Sequence, residues 1–178
     1  LDLVVANAGI GYPTPAATAD WKGIQAILDV NVVGAIATVA LAAPAMAKRK
    51  RGHLVGISSI ASFRGMPQNA AYSASKAALA TYLESMRIDL RRQGVRVTSV
   101  HPGYIRTPMT AKNKHPMPFL MDADVAARKI LRAIDRGRAV YAFPWPMVAA
   151  LRATRLLPYA VFDALVSRLS FGKFGRER

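Results

Sequence analysis

Four short apolar runs, each ending near a glycine or proline, alternate with longer segments of helical periodicity in this 178-residue chain. The short runs are typical of strands that are buried on both faces, and the segments between them have the length of crossover helices. Because parallel strands need such crossovers, the alternation predicts an α/β fold with a parallel sheet. The predicted strands are 1–6, 53–58, 95–100 and 139–143, and the predicted helices are 21–49, 72–93 and 122–136.

Residues with known capping preferences stand at the ends of these helices. Asp20 and Asp122 are predicted to cap two helix starts, and Gly94 and Gly137 are predicted to end helices. Between the third strand and the last of these helices, residues 104–121 are rich in proline and methionine and are predicted to form a loop.

Composition excludes several classes of protein. Apolar residues make up 52% of the chain, so a folded core is expected, and the absence of cysteine excludes disulfides and thiolate metal sites. His53, His101 and His115 have no metal-ligand spacing. The net charge of +15 suits nucleic acid, a membrane surface, an acidic partner or simply a solvated basic surface. Nucleic acid is disfavoured, because the basic residues are dispersed at helix ends without stacking aromatics.

An uncharged stretch at 30–47 is long enough to be considered as a membrane span. It contains Asn31, Gly34 and Pro44 and begins in the middle of the predicted helix after Asp29. A buried or subunit-facing helix is therefore preferred to a span.

The most informative polar residues are Tyr72 and Lys76, which lie four positions apart and so share one face of a helix. An ammonium beside a phenol favours the phenolate, which predicts a lowered pKa for Tyr72. Such a tyrosine can exchange a proton with a substrate oxygen, and the hydroxyl of Ser59 could hold the same oxygen. Taken alone, the pair could equally be a surface tyrosine and a solvated lysine.

Further motifs follow one another in a fixed order around this pair. Asn7-Ala8-Gly9 follows the first strand, Asn31 lies in the first helix, and Pro102-Gly103 follows the third strand. Together with Ser59, Tyr72 and Lys76, they resemble the motifs of the short-chain dehydrogenase/reductase family from Leu1 to about Phe143. Ala6 and Ser62 depart from the family pattern, which frequently has asparagine and glycine there.

The resemblance implies a Rossmann-like doubly wound sheet and a hydride exchange between NAD or NADP and a carbonyl or secondary alcohol. It implies that Tyr72 is the acid/base, that Ser59 holds the substrate oxygen, and that Lys76 lowers the tyrosine pKa and binds the nicotinamide ribose. Asn31 would support a water molecule that connects Lys76 to solvent. The implied cofactor-binding residues are Asn7, Ala8, Gly9, Tyr72, Lys76, Pro102, Gly103, Ile105 and Thr107.

The family's glycine-rich dinucleotide loop is not found in this sequence. The fold is therefore expected to be incomplete at the N-terminal side, with strand 1–6 presenting an open apolar edge, and the numbered chain is expected to begin inside a domain. A mature terminus that starts on a strand is the alternative. If the loop is lacking, a truncated or non-catalytic binding protein that cannot hold the dinucleotide is the alternative function.

Two regions are distinguished, a partial dehydrogenase domain at 1–143 and a basic, proline-broken extension at 144–178. The extension has an apolar helical stripe and could lie on a membrane, on its own domain or on a second subunit. Homo-oligomerisation is expected through helices 21–49 and 72–93, and localisation is expected to be cytoplasmic or peripheral at the membrane.

The apolar side chains of the 104–121 loop favour an apolar or lipid-like substrate, although they could simply seal the cofactor site; they are Met109, Met117, Phe119, Leu120 and Met121. The apolar stripe of the extension consists of Val161, Phe162, Leu165, Val166 and Leu169, and its charge comes from Arg152, Arg155, Arg168, Lys173, Arg176 and Arg178.

Overall fold

The computed structural model describes residues 1–113 and 115–174, with side chains described as far as residue 168. A four-stranded parallel sheet lies at the centre, in the order β1-β2-β3-β6. The strands are β1 (Leu3–Ala6), β2 (Gly52–Ile57), β3 (Val95–Pro102), β4 (Ile105–Arg106), β5 (Met121–Asp122) and β6 (Val140–Phe143). The α-helices are α1 (Trp21–Leu28), α2 (Ala35–Lys48), α3 (Ala70–Leu90), α4 (Pro108–Ala111), α5 (Ala123–Asp135), α6 (Trp145–Thr154) and α7 (Tyr159–Phe174).

The parallel sheet confirms the α/β architecture predicted from the alternating pattern. Val5 aligns with Val55 between β1 and β2, and Val55 aligns with Thr98 between β2 and β3. Among the described strands β1 pairs only with β2, and its Leu3 and Val5 are 42% and 39% exposed. This is the open apolar edge that the sequence predicts.

Helices cover the two faces of the sheet and form two apolar cores. On one face, α2 and α3 bury a cluster that includes Val39, Leu79 and Leu83, and on the other α5 contributes Ala126 and Ile134. Burying one such leucine contributes about 1.5–3 kcal/mol relative to leaving it exposed. The inward face of α3 therefore anchors the helix that carries Tyr72 and Lys76.

The segment predicted as one helix at 21–49 is continuous, but a π-helical segment, Asp29–Gly34, joins α1 to α2. By length and composition alone, the helix from Trp21 to Lys48 could cross a membrane. It instead packs on β1 and β2 and buries Ile27, Asn31, Ala35, Val39 and Met46, which supports the prediction of a buried helix.

Two predictions about helix starts have different outcomes. The carboxylate of Asp20 accepts hydrogen bonds from the backbone N–H groups of Lys22 and Gly23, both at 3.1 Å, as predicted. Asp122 occupies the N-cap position of α5, but its side chain makes no capping bond there. It accepts instead from Nε of Arg106 at 2.8 Å, because the pairing of β4 with β5 brings the two residues together.

The prediction of a loop at 104–121 is only partly confirmed. This segment contains β4, the short helix α4 and the first residue of β5. Met121 packs against the core beside α5 rather than lining an open pocket, whereas Met109 and Phe119 are 37% and 56% exposed. A short strand pair with a four-residue helix has too little periodicity to be recognised in sequence.

The C-terminal helices pack on the loop that follows β2. The guanidinium of Arg64 lies 4.0 Å from the ring centroid of Phe162, and its Nη1 donates to the Thr154 carbonyl at 3.0 Å. Phe162 is buried, while Leu156 and Tyr159 are 88% and 80% exposed. One side of the extension therefore lies on its own domain. The side chains of Leu169 and Lys173, and the residues Arg176 and Arg178, lie outside the described part of the chain.

Candidate active site

The carboxyl ends of three adjacent parallel strands bring most of the predicted site residues to one edge of the sheet. Asn7-Ala8-Gly9 follows β1, Ser59 lies two residues beyond β2, and Pro102 ends β3. Ligands of open α/β sheets bind along this edge. The strand order and register thus assemble segments that are far apart in sequence.

Helix α3 adds Tyr72 and Lys76 to this edge. Lys76 is 4% exposed, and its Nζ donates to the carbonyl of Ile57 at the end of β2, at 2.9 Å. In return, the hydroxyl of Ser58 donates to the Lys76 carbonyl at 2.8 Å. Nζ lies 5.8 Å from the ring centroid of Tyr72, which is half-buried. The two bonds between the helix and β2 hold the ammonium and the phenol side by side.

Two glycines in the loop after β1 allow the backbone to pass close to this pair. A Cβ on Gly11 would lie 2.8 Å from Cδ2 of Tyr72, and a Cβ on Gly9 would lie 3.2 Å from Nζ of Lys76. A side chain at Gly11 would therefore displace either the ring or the loop. The Asn-Ala-Gly segment is thus packed directly against the tyrosine and lysine.

Asn31 fixes the same loop from the other side. Its Oδ1 accepts from the Ile10 N–H and its Nδ2 donates to the Ile10 carbonyl, both at 2.8 Å. Nδ2 is also 3.0 Å from Oγ of Ser75, the neighbour of Lys76. Asn31 is fully buried, so these bonds satisfy an amide that would otherwise be costly to bury. The residue joins the loop to α3.

Ser59 lies at the centre of the edge, in extended backbone that precedes a single 3₁₀ turn, Ile60–Ser62. Its Oγ accepts from the Ala61 N–H at 3.1 Å and donates to the Pro102 carbonyl at 3.5 Å, and its hydroxyl is close enough to Tyr72 to lower the pKa of that phenol. The structure therefore brings Ser59, Tyr72, Lys76 and Asn31 together, as the motifs predict.

Burial, more than the neighbouring charge, sets the ionisation of this pair. Loss of hydration lowers the pKa of Lys76 to about 8. Burial also raises the pKa of Tyr72, and the hydrogen bond from Ser59 offsets this only in part. The predicted lowering of the Tyr72 pKa by Lys76 is therefore wrong in direction. Sequence spacing places the ammonium near the phenol, but it does not reveal how completely both are removed from water.

A measurable consequence concerns Lys76→Met, which removes the buried charge and is expected to raise the midpoint of thermal unfolding at pH 7. Because the folded-state pKa of Lys76 is depressed to about 8 from 10.5, the folded state holds fewer protons than the unfolded state between these values. The stability of the wild type therefore rises with pH across that window. The difference in unfolding midpoint between Lys76→Met and the wild type should become smaller. Thermal melts from pH 7 to 10.5 test this, with Lys22→Met, at an exposed lysine on α1, as the control. If Lys76→Met raised the midpoint of thermal unfolding by the same amount at every pH, the depressed pKa of Lys76 would be contradicted.

The residues predicted to touch the cofactor after β3 also have clear structural contacts. A Cβ on Gly103 would lie 2.8 Å from Cδ of Pro144, and its N–H donates to the Phe143 carbonyl at 2.7 Å. Ile105 packs against the core beside α5, and Thr107 caps α4 through a capping box with Thr110. These contacts position the segment, and they do not by themselves indicate a ligand.

Sequence reasoning missed two polar residues that organise the site, Ser58 and Ser75. Both are small, buried hydroxyls that contact the residues around them rather than open space. Ser75 also donates to the Tyr72 carbonyl at 2.8 Å. Their positions in the sequence, directly beside Ser59 and Lys76 and on the inward face, could have identified them.

A parallel sheet flanked by helices, with a serine, a tyrosine and a buried lysine at its carboxyl edge, defines a Rossmann-like α/β fold. The profile of the short chain dehydrogenase family matches residues 1–118. The chain is 50% identical over 169 residues to an uncharacterized oxidoreductase of Myxococcus xanthus (strain DK1622), covering 95% of this chain and 67% of that protein. The chain belongs to the short-chain dehydrogenase family.

Other relatives agree on family and fold. An uncharacterized oxidoreductase of Mycobacterium tuberculosis (strain CDC 1551 / Oshkosh) is 34% identical over 160 residues, 89% of this chain and 63% of that protein. A short chain dehydrogenase from Burkholderia cenocepacia J2315, in complex with NADP, superposes with a TM-score of 0.80 at 26% identity, over 93% of this chain and 68% of the other. A 4-hydroxyisoleucine dehydrogenase complexed with NADH superposes with a TM-score of 0.67 at 27% identity, over 80% of this chain and 66% of the other. The chain thus spans roughly two thirds of the length of these relatives.

Proposed function

We propose that the protein is an NAD- or NADP-dependent oxidoreductase that moves a hydride between nicotinamide and a carbonyl or secondary alcohol. The observation that supports this proposal most directly is that Ser59, Tyr72 and the buried Lys76 lie together at the carboxyl edge of the sheet, with Nζ of Lys76 5.8 Å from the Tyr72 ring centroid. Structural relatives with bound NADP or NADH support the choice of cofactor.

The residues present fit a nicotinamide nucleoside at this edge. Gly9 and Gly11 lack side chains where the loop passes Lys76 and Tyr72. Nζ of Lys76 donates one of its three N–H bonds to Ile57, which leaves donors for sugar hydroxyls. Asn7, Ala8 and the Pro102–Thr107 segment complete the proposed contacts. The nicotinamide supplies or accepts the hydride when it is bound.

Within this proposal, the protein's own groups orient the substrate and move the proton. Ser59 Oγ holds the substrate oxygen, and Tyr72 donates its proton to that oxygen in the reduction. A raised tyrosine pKa keeps the phenol protonated at neutral pH, which suits an acid in the direction of carbonyl reduction. Asn31 keeps the loop after β1 against Lys76 and supports a water molecule that connects Lys76 to solvent. Loss of turnover in Tyr72→Phe is the test.

The substrate is proposed to be apolar or lipid-like. Met109 and Phe119 are 37% and 56% exposed and follow Thr107, one of the proposed cofactor contacts, in the sequence. Adaptable apolar side chains in this position favour an apolar ketone or alcohol over a polar one.

Two associations extend the proposal. A homo-oligomer would cover Val33 and Leu41 on the long helix and Ile88 on α3, which are 61%, 83% and 64% exposed. The extension at 144–178 would contact anionic lipid, and the protein would be cytoplasmic with peripheral membrane contact. Its exposed Trp145, Leu156 and Tyr159 lie in the same basic segment as Arg152 and Arg155.

The membrane contact is testable with the double variant Leu156→Gln and Val161→Gln. Both side chains are exposed, so the fold should tolerate the change, while each loses apolar area that would enter the lipid. Co-sedimentation with phosphatidylglycerol vesicles is expected to fall at least about tenfold in affinity. Leu131→Gln, at an exposed leucine on α5, is the matched control. Wild-type protein that stays in the supernatant would remove this proposal.

A further inference from the structure

A second polar cluster lies directly behind Ser59, and the proposed proton transfer does not use it. Its centre is His101 on β3, which is 4% exposed. Nε2 of His101 is 2.8 Å from Oγ of Ser99, and Nδ1 is 3.0 Å from Oγ of Ser62 and 3.3 Å from the carbonyl oxygen of Ser59. The imidazole therefore contacts the backbone carbonyl of Ser59, whereas the Ser59 hydroxyl accepts from the Ala61 N–H.

The hydrogen bonds of the cluster select one tautomer of the neutral imidazole. The Ser62 hydroxyl lies 2.6 Å from the Ser59 carbonyl and donates to it, so its oxygen is left to accept from His101. Nδ1 must then carry the proton, and Nε2 accepts from the hydroxyl of Ser99. A neutral imidazole with the proton on Nδ1 satisfies every bond in the cluster. The Ser59 carbonyl then receives two donors, one from Ser62 and one from His101.

Groups around the ring reinforce the neutral form. The Phe63 ring stacks on His101 at 5.1 Å, and the Arg152 guanidinium lies 5.3 Å from the centroid of Phe63. Burial lowers the pKa of His101, the bond to the Ser59 carbonyl raises it, and Arg152 lowers it again. The ring also borders a cavity of about 260 Å³, which is lined by two arginines and one carboxylate, Arg87, Arg155 and Glu84.

This arrangement has a direct effect on the serine. With its carbonyl held from behind and its Oγ accepting from the Ala61 N–H, Ser59 can turn neither its peptide nor its side chain without losing a buried bond. We propose that neutral His101, with Ser62, is a positioning residue that fixes the Ser59 peptide so that Oγ faces Tyr72. This rests on the proposed function, in which Ser59 holds the substrate oxygen. Ser62 stands where the resembled family commonly has glycine, so the pair is a feature of this chain.

Two substitutions separate positioning from simple packing. His101→Phe keeps an aromatic ring against Phe63 but removes both nitrogens, whereas His101→Asn can return an N–H near the position of Nδ1. With NADPH or NADH and 2-decanone as the probe substrate, His101→Phe is expected to lower kcat about tenfold, the worth of one buried hydrogen bond, with the KM for nucleotide nearly unchanged. His101→Asn should recover most of that loss.

Two further readouts follow from the protonation of the ring. In the wild type, kcat should fall on acidification as His101 becomes charged, and this acid limb should be absent in His101→Asn. The ¹⁵N chemical shifts of the His101 ring should show the proton on Nδ1 at neutral pH, in a measurement that needs no substrate. Thermal melts confirm that each variant is folded.

The outcomes distinguish this inference from the function it rests on. A proton on Nε2, or a kcat for His101→Phe equal to wild type while Ser59→Ala is inactive, overturns the positioning role and leaves the proposed function in place. Full activity in Ser59→Ala overturns the proposed function itself, and the role of His101 falls with it.

Discussion

Replacing Tyr72 by phenylalanine is expected to lower kcat at least about 100-fold, the lower end of what one acid/base group contributes. The ring stays in place against Gly11, because the substitution removes only the phenolic hydroxyl. Binding of NADH or NADPH should change little, since the proposed grip on the cofactor comes from Lys76 and the loop after β1. Oxidation of the reduced nucleotide by 2-decanone, with a parallel fluorescence titration of NADH, measures both quantities.

Tyr82→Phe on the same helix is the matched control, because Tyr82 packs against the core rather than at the sheet edge. Near-normal turnover in Tyr72→Phe would refute its role as the acid. A wild-type protein that fails to bind either nucleotide would instead favour the non-catalytic alternative. The two measurements thus separate loss of chemistry from loss of cofactor binding.

Gly94→Ala is expected to produce the largest loss of stability among simple glycine substitutions. Gly94 ends the segment after α3 with φ +70°, and an added Cβ would lie 2.4 Å from the carbonyl oxygen of Lys50. The left-handed conformation alone costs an alanine about 1–2 kcal/mol, and the clash is with backbone that cannot rotate away. A total of about 2–4 kcal/mol would lower the midpoint of thermal unfolding by roughly 5–15 °C.

Gly65→Ala is the control for this stability experiment. Its added Cβ would meet nothing within 4 Å, so the midpoint should stay close to that of the wild type. Equal effects of the two substitutions would mean that the contact between Gly94 and the turn at Lys50 is not maintained in solution.

Sequence alone predicts the fold and the grouping of the site for a physical reason. Three parallel strands end at Ala6, Ile57 and Pro102, so the residues that follow them must lie on one edge of the sheet. The four-residue spacing of Tyr72 and Lys76 must place both on one helix face. Both conclusions depend on periodicity and topology, which the order of residues records. The positions of Ser58 and Ser75 follow from the same geometry, although a single buried serine has no distinctive pattern.

What the sequence did not predict depends on competition between partners in three dimensions. Asp122 has the right position for a cap, but Arg106 offers its carboxylate a charged partner. The pKa of Tyr72 depends on how much water burial removes, which outweighs the nearby ammonium. The proposed role of His101 depends on Ser59 and Ser62, which come from the segment after β2, and on Ser99, which lies on the same strand as His101.

The π-helical segment at Asp29–Gly34 changes the rotation about the helix axis between the two halves of one long helix. Ile27, Asn31, Ala35 and Val39 are buried at intervals of four residues, and on a regular α-helix such a row would drift by about 40° at each step. The wider turn absorbs part of that rotation, so Asn31 and the residues on both sides of it face the sheet together. A deletion of one residue within this segment would put the two halves out of phase. The amide that secures the loop over Lys76 would then point away from it, even though every motif residue would still be present in the sequence.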